Sequence, residues 1–145
     1  MNTTGRELLA SLLVFQDEAE RADILNPAKT QDDLCGMLLW LVHDRGYFFE
    51  VTAANSDHSN DLRLGPHVHT GGYAVDGWPL CSKTPGDYMN ATSDAFAQFL
   101  EDCDRAPHRY QIGLGGSADT WRNERAGGPS TFADNDSDHV HLGTR

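Results

Sequence analysis

Long apolar runs are missing from this chain of 145 residues, and no stretch reaches the roughly 20 residues a membrane-spanning helix needs. The N-terminus lacks the basic-then-apolar layout of a secretory signal. Cytoplasmic synthesis with no membrane partner is the expectation. Basic residues are scarce, 11 Lys and Arg against 22 Asp and Glu for a net charge of -11. Without clustered positive charge to attract phosphates, nucleic acid is not an expected partner. Cysteine is sparse too. Cys35, Cys81 and Cys103 are odd in number and widely spaced, which argues against a disulfide framework and for buried reduced thiols. Repeats and low-complexity tracts are absent, and the length suits one domain over residues 1–145.

What is present alternates between helical and extended patterns. Leu8, Leu9, Leu12, Leu13 and Phe15 supply apolar positions for an amphipathic helix over 6–22, and Pro27 ends any continuation. A second helix is predicted with Thr30 as N-cap, Asp32 and Asp33 in its first turn, the apolar run Leu34 to Val42, and Gly46 as its stop. A strand is read over 47–53, another from Tyr73 to Trp78, and a turn region bounded by Pro79 and Pro85. A third helix runs over 93–104 with Ser93 as N-cap, followed by a short strand over 110–114. Residues 117–130, with Gly127-Gly128-Pro129, read as a surface loop. Phe132 and a final strand over 139–144 complete the set. Helices packed on one face of a small antiparallel sheet make an α+β domain.

The chemistry-bearing residues sit at two places. His69-Thr-Gly-Gly-Tyr-Ala-Val-Asp76 joins a histidine and an aspartate across a glycine turn, and Asp138-His-Val-His141 ends the chain's last strand. On an unbroken strand a seven-residue separation puts His69 and Asp76 on opposite faces. Gly71-Gly72 lets the chain swing His69 back over the face that carries Ala74, Asp76 and Trp78. His139 and His141, two apart, project from one face. One of them can bind metal while the other works beside it. A catalytic zinc takes three such His or carboxylate ligands and keeps a fourth position for water.

These motifs resemble the LAS metallopeptidases, the group that includes lysostaphin, the D-alanyl-D-alanine peptidases and the amino-terminal domain of hedgehog. The match is closest to the D-Ala-D-Ala and L-Ala-D-Glu peptidase branch. Its pattern S-x-H-x-x-G-x-A-x-D meets His69, Gly72, Ala74 and Asp76, and its C-terminal acidic residue and H-x-H meet Asp138, His139 and His141. His67 stands where the pattern has Ser, Asp138 where it usually has Glu, and no Trp precedes the histidine pair. The resemblance implies a hedgehog-like or D-Ala-D-Ala-peptidase-like fold and Zn2+ held by His69, Asp76 and His141. It also implies Asp138 as general base, with Asp136 as second candidate, and His139 as transition-state stabiliser. The implied activity is hydrolysis of a D-amino-acid-containing peptide of bacterial peptidoglycan, as by phage endolysins that wait in the cytosol for a holin. The loop over 55–65 would shape the substrate cleft, where Arg63 could pair bidentately with a substrate carboxylate.

The acidity and the departures from the pattern favour an alternative: a virion or other assembly component that keeps the fold and the metal for stability, has little activity, and binds other virion proteins. Several residues carry plain structural expectations. Trp78 is read as core packing, His43, His58 and His108 carry no pattern, and the pairs Asp17-Glu18 and Glu101-Asp102 are read as solvated helix faces.

Overall fold

In a computed structural model, residues 1–55, 71–114, 131–133 and 139–144 are described. The chain begins with α1 (Thr3–Leu12), a two-residue strand β1 (Val14–Phe15) and α2 (Glu18–Leu25). The single helix anticipated over 6–22 is therefore two. The break has a local cause: the Asp17 carboxylate accepts from Ala19 N–H to cap α2, and the Glu20 carboxylate accepts from Asp17 N–H, a reciprocal box that starts a new helix. The β-favouring Val14 and Phe15 are left between the helices and pair in parallel with the second strand of the sheet.

Next comes α3 (Asp32–Leu39), which runs into a π-helical turn over Trp40–Asp44. Gln31, not Thr30, occupies its N-cap position. Thr30 is buried, and its hydroxyl donates to the Asp23 carbonyl to close the loop after α2. Gly46 ends the helical region with φ +76°, as a stop glycine should. The strands β2 (Phe48–Ala53) and β3 (Ala74–Leu80) follow, then α4 (Asp94–Arg105), β4 (Arg109–Leu114), β5 (Thr131–Ala133) and β6 (Val140–Thr144). Ser93 caps α4 as anticipated, accepting from Phe96 N–H at 3.1 Å.

The domain is α+β, with a six-stranded sheet in the order β1-β2-β3-β6-β4-β5. The four central strands β2, β3, β6 and β4 run antiparallel to one another, and the outer pairs β1·β2 and β4·β5 are parallel. Parallel neighbours require a long crossover. The helical segment over 16–47 supplies it for β1 and β2. Pro79 does not stop β3 but lies inside it, opposite Phe49. The β6 pairing of β3 ends at Gly77, and the Pro79 carbonyl instead accepts from Met89 N–H, so the missing proline donor breaks no central ladder.

Register separates the two faces of the sheet. Phe49, Val51, Val75, Ile112, Val140 and Leu142 share the apolar face and join Leu9, Leu13, Ile24, Leu34, Met37, Leu38, Phe99 and Leu100 of the helices in one core. Trp78 belongs to the same cluster and stacks on Phe96 at 4.8 Å, which agrees with a packing role. Two charged groups lie deep in the fold. Arg6 is buried and donates to the Ile24 and Thr30 carbonyls and to Asp32, so it ties α1 to the α2–α3 connection. Asp102, read as solvated, is buried; it accepts from the Tyr47 hydroxyl and pairs with Arg45 at 3.3 Å. Cys35 and Cys103 are buried as anticipated, whereas Cys81 is exposed because it follows the end of β3. No helix of the described residues is long and apolar enough to cross a membrane.

Candidate metal centre

The polar face of the sheet carries the anticipated residues. Asp76 on β3 and His141 on β6 are direct cross-strand partners, so both side chains leave the same face. His141 Nδ1 lies 2.9 Å from Asp76 Oδ1. His139, just before β6, places its Nε2 3.8 Å from the other oxygen, Asp76 Oδ2. The carboxylate therefore stands between two imidazoles, one inside and one at the rim: His141 is 0% exposed and the His139 side chain 13%.

Several local features hold this strand pair in place. Gly72 has φ +76°, and a Cβ there would stand 2.3 Å from the Lys29 carbonyl oxygen, so the turn before β3 admits only glycine without displacement. The Gly72 carbonyl accepts from Gln31 N–H at 2.8 Å, and the Gly71 carbonyl accepts from the Gln31 side chain. Those bonds dock the turn on the start of α3. At the same end of β3, Thr144 N–H donates to the Tyr73 carbonyl at 2.8 Å. The register of β2 shifts between Val51 and Ala53, and Ala53 then pairs with Asp76; such irregularities are common beside functional sites.

His69, Asp138 and Arg63 lie outside the described residues, as do His67 and the second base candidate Asp136. The structure thus brings together three of the six anticipated residues: Asp76, His139 and His141. Among the described residues no group of three or more His, Cys, Asp or Glu side chains could hold a metal ion. The pair Asp76 and His141 is nevertheless a fitting half of one. Two donors each about 2.0–2.2 Å from a tetrahedral zinc stand roughly 3.4 Å apart. At 2.9 Å these two need to open by only a few tenths of an ångström.

Sequence reasoning assigned nothing to Glu50. It is buried on β2 opposite Trp78, accepts from the Tyr88 hydroxyl and accepts from Gly86 N–H at 3.2 Å. Its carboxylate raises the Tyr88 phenol above its ordinary range through that hydrogen bond, with burial second. Glu50 thereby clasps the turn after β3. Its partners are over 30 residues away in sequence, and no local pattern announces them. No protein-family model, curated protein or solved structure matches this chain.

Proposed function

We propose that the chain is a zinc-dependent peptidoglycan peptidase that hydrolyses a D-amino-acid-containing peptide bond of bacterial cell wall. The observation that carries the reading is the buried pairing of Asp76 with His141, with His139 against the same carboxylate. These residues come from two motifs far apart in sequence, and both motifs are those of the resemblance. In this reading Asp76 and His141 hold Zn2+ together with His69. When bound, the ion would polarise the scissile carbonyl and lower the pKa of its water to about 7. Asp138 takes the proton of the attacking water and returns it to the leaving amine. His139, at the rim, donates to the developing oxyanion. Arg63 receives a substrate carboxylate. The protein is made in the cytosol and meets the wall after release, as an endolysin does.

Zymography on purified cell wall, with chelator and with zinc restored, tests the activity. Clearing that chelator abolishes and zinc restores is the expected outcome. Zinc retention without clearing would favour the metal-stabilised assembly component, a reading the net charge of -11 supports, since an acidic protein is repelled by anionic walls. Absence of both zinc and clearing would end the metal reading.

A further inference from the structure

Gln31 stands at the N-cap of α3 but does not do the local work of that position. An N-cap side chain ordinarily accepts from the free N–H groups of the first helical turn, and Ser, Thr, Asp and Asn are the residues suited to it. The Gln31 side chain makes no such bond. It reaches out of the helix instead: its amide nitrogen donates to the Gly71 carbonyl at 3.2 Å, while its main-chain N–H donates to the Gly72 carbonyl at 2.8 Å. One residue thus holds both carbonyls of the glycine turn. A residue that breaks a local rule is expected where a functional site asks something else of it.

The neighbours of Gln31 are fixed by a single buried guanidinium. Arg6 donates to the Thr30 carbonyl and to Asp32 Oδ1, each at 2.8 Å, and to the Ile24 carbonyl at 2.9 Å. Its donors lie in one rigid plane, so Thr30 and Asp32 are set relative to each other with Gln31 between them. Lys29 and Thr30 also form the wall of the turn, since a Cβ on Gly72 would stand 2.3 Å from the Lys29 oxygen and 3.1 Å from Thr30 Cα. The turn lies between His69 and Asp76 in the chain, and Gly72 precedes Asp76 by only four residues.

We propose that Gln31 is a positioning residue of the candidate metal centre: its two hydrogen bonds to the glycine turn set where β3 begins and so where Asp76 meets His141. The proposal rests on the zinc reading for its functional meaning. Ligands must be held to within about half an ångström of the productive geometry, and the residues behind them do the holding.

The test compares Gln31→Ser, Gln31→Met and Gln31→Lys with wild type. Serine supplies a helix cap but is too short for Gly71, methionine keeps the length without a donor, and lysine keeps a donor. Three quantities are read: denaturant unfolding, zinc affinity by chelator competition, and amide exchange over residues 74–76. Gln31→Ser should unfold no more easily than wild type, because the new cap offsets the lost bond. It should nevertheless bind zinc about 3- to 30-fold more weakly and exchange faster over 74–76. Gln31→Met should show the same loss of affinity, and Gln31→Lys should recover most of it. Asp17→Ala, which loosens α2, should keep wild-type affinity and serves as the control for stability alone. Wild-type affinity and exchange in both Gln31→Ser and Gln31→Met would overturn the role of Gln31 and leave the zinc reading standing. Equal loss of affinity in Asp17→Ala and Gln31→Met would overturn it too, since affinity would then follow stability. If wild type binds no zinc, the zinc reading falls, and exchange decides the rest. Faster exchange over 74–76 in Gln31→Ser and Gln31→Met, but not in Asp17→Ala, supports the positioning of β3, and unchanged exchange overturns it.

Discussion

Asp76 has one oxygen at hydrogen-bond distance from His141 Nδ1 and the other facing His139 at 3.8 Å. On the proposed zinc reading, Asp76→Ala and His141→Ala should each bind far less zinc than wild type, measured by elemental analysis after dialysis. His139→Ala should keep the metal and lose hydrolysis by a factor of about 100. Retention of zinc in both ligand variants would remove the basis of the centre. Away from it, Asp102 accepts from Tyr47 and pairs with Arg45, and Asp102→Ala should cost about 2–3 kcal/mol in denaturant unfolding because it removes hydrogen bonds to a charged group. The Tyr47 phenol is pushed well above its ordinary value, first by burial and then by the hydrogen bond to Asp102. A group whose folded pKa is raised contributes stability below its unfolded pKa and loses it as pH rises toward the folded one. Stability should therefore fall above about pH 10, and Tyr47→Phe should flatten that fall in alkaline melting curves. The thiols follow burial in the same way. Burial raises Cys35 and Cys103 above the ordinary thiol range, so thiol titration of native protein should show one fast group, the exposed Cys81, and three after unfolding.

At the scale of elements, the strand that carries Asp76 is placed by a turn rather than by its own side chains. Gly72→Ala combines a left-handed backbone with a Cβ 2.3 Å from the Lys29 oxygen, and should cost about 2 kcal/mol or more. Hydrogen exchange should localise the loss to β3 and to the start of α3, which the Gln31–Gly72 bond joins. Uniform loosening across the sheet would mean that the turn is not what docks β3. Asp17→Ala removes the cap of α2 and should cost about 1 kcal/mol, with no effect on the centre.

For the whole molecule, metal that binds only the folded state adds to its stability. On the proposed zinc reading, chelator should therefore lower the melting temperature at neutral pH, and zinc should restore it. A melting curve unmoved by chelator, in protein shown to have lost its metal, would mean that the apolar core alone holds the domain.

Local rules read from the sequence hold wherever neighbours along the chain do the work. Ser93 caps α4, Gly46 stops a helix, and His139 and His141 share a face because side chains alternate on a strand. The same alternation set Asp76 on the face where it was anticipated. What the chain could not reveal locally depends on partners distant in sequence. The direct opposition of Asp76 and His141 is a register between strands separated by 65 residues, and register is chosen by which face the core buries. The split of the first helix was readable in Asp17 and Glu20, yet the helical spacing of the leucines hid it until β1 found β2 to pair with. Burial of Arg6 and Asp102 follows from carbonyls and a phenol brought by other elements, since a charged group leaves water only where the fold supplies its hydrogen bonds.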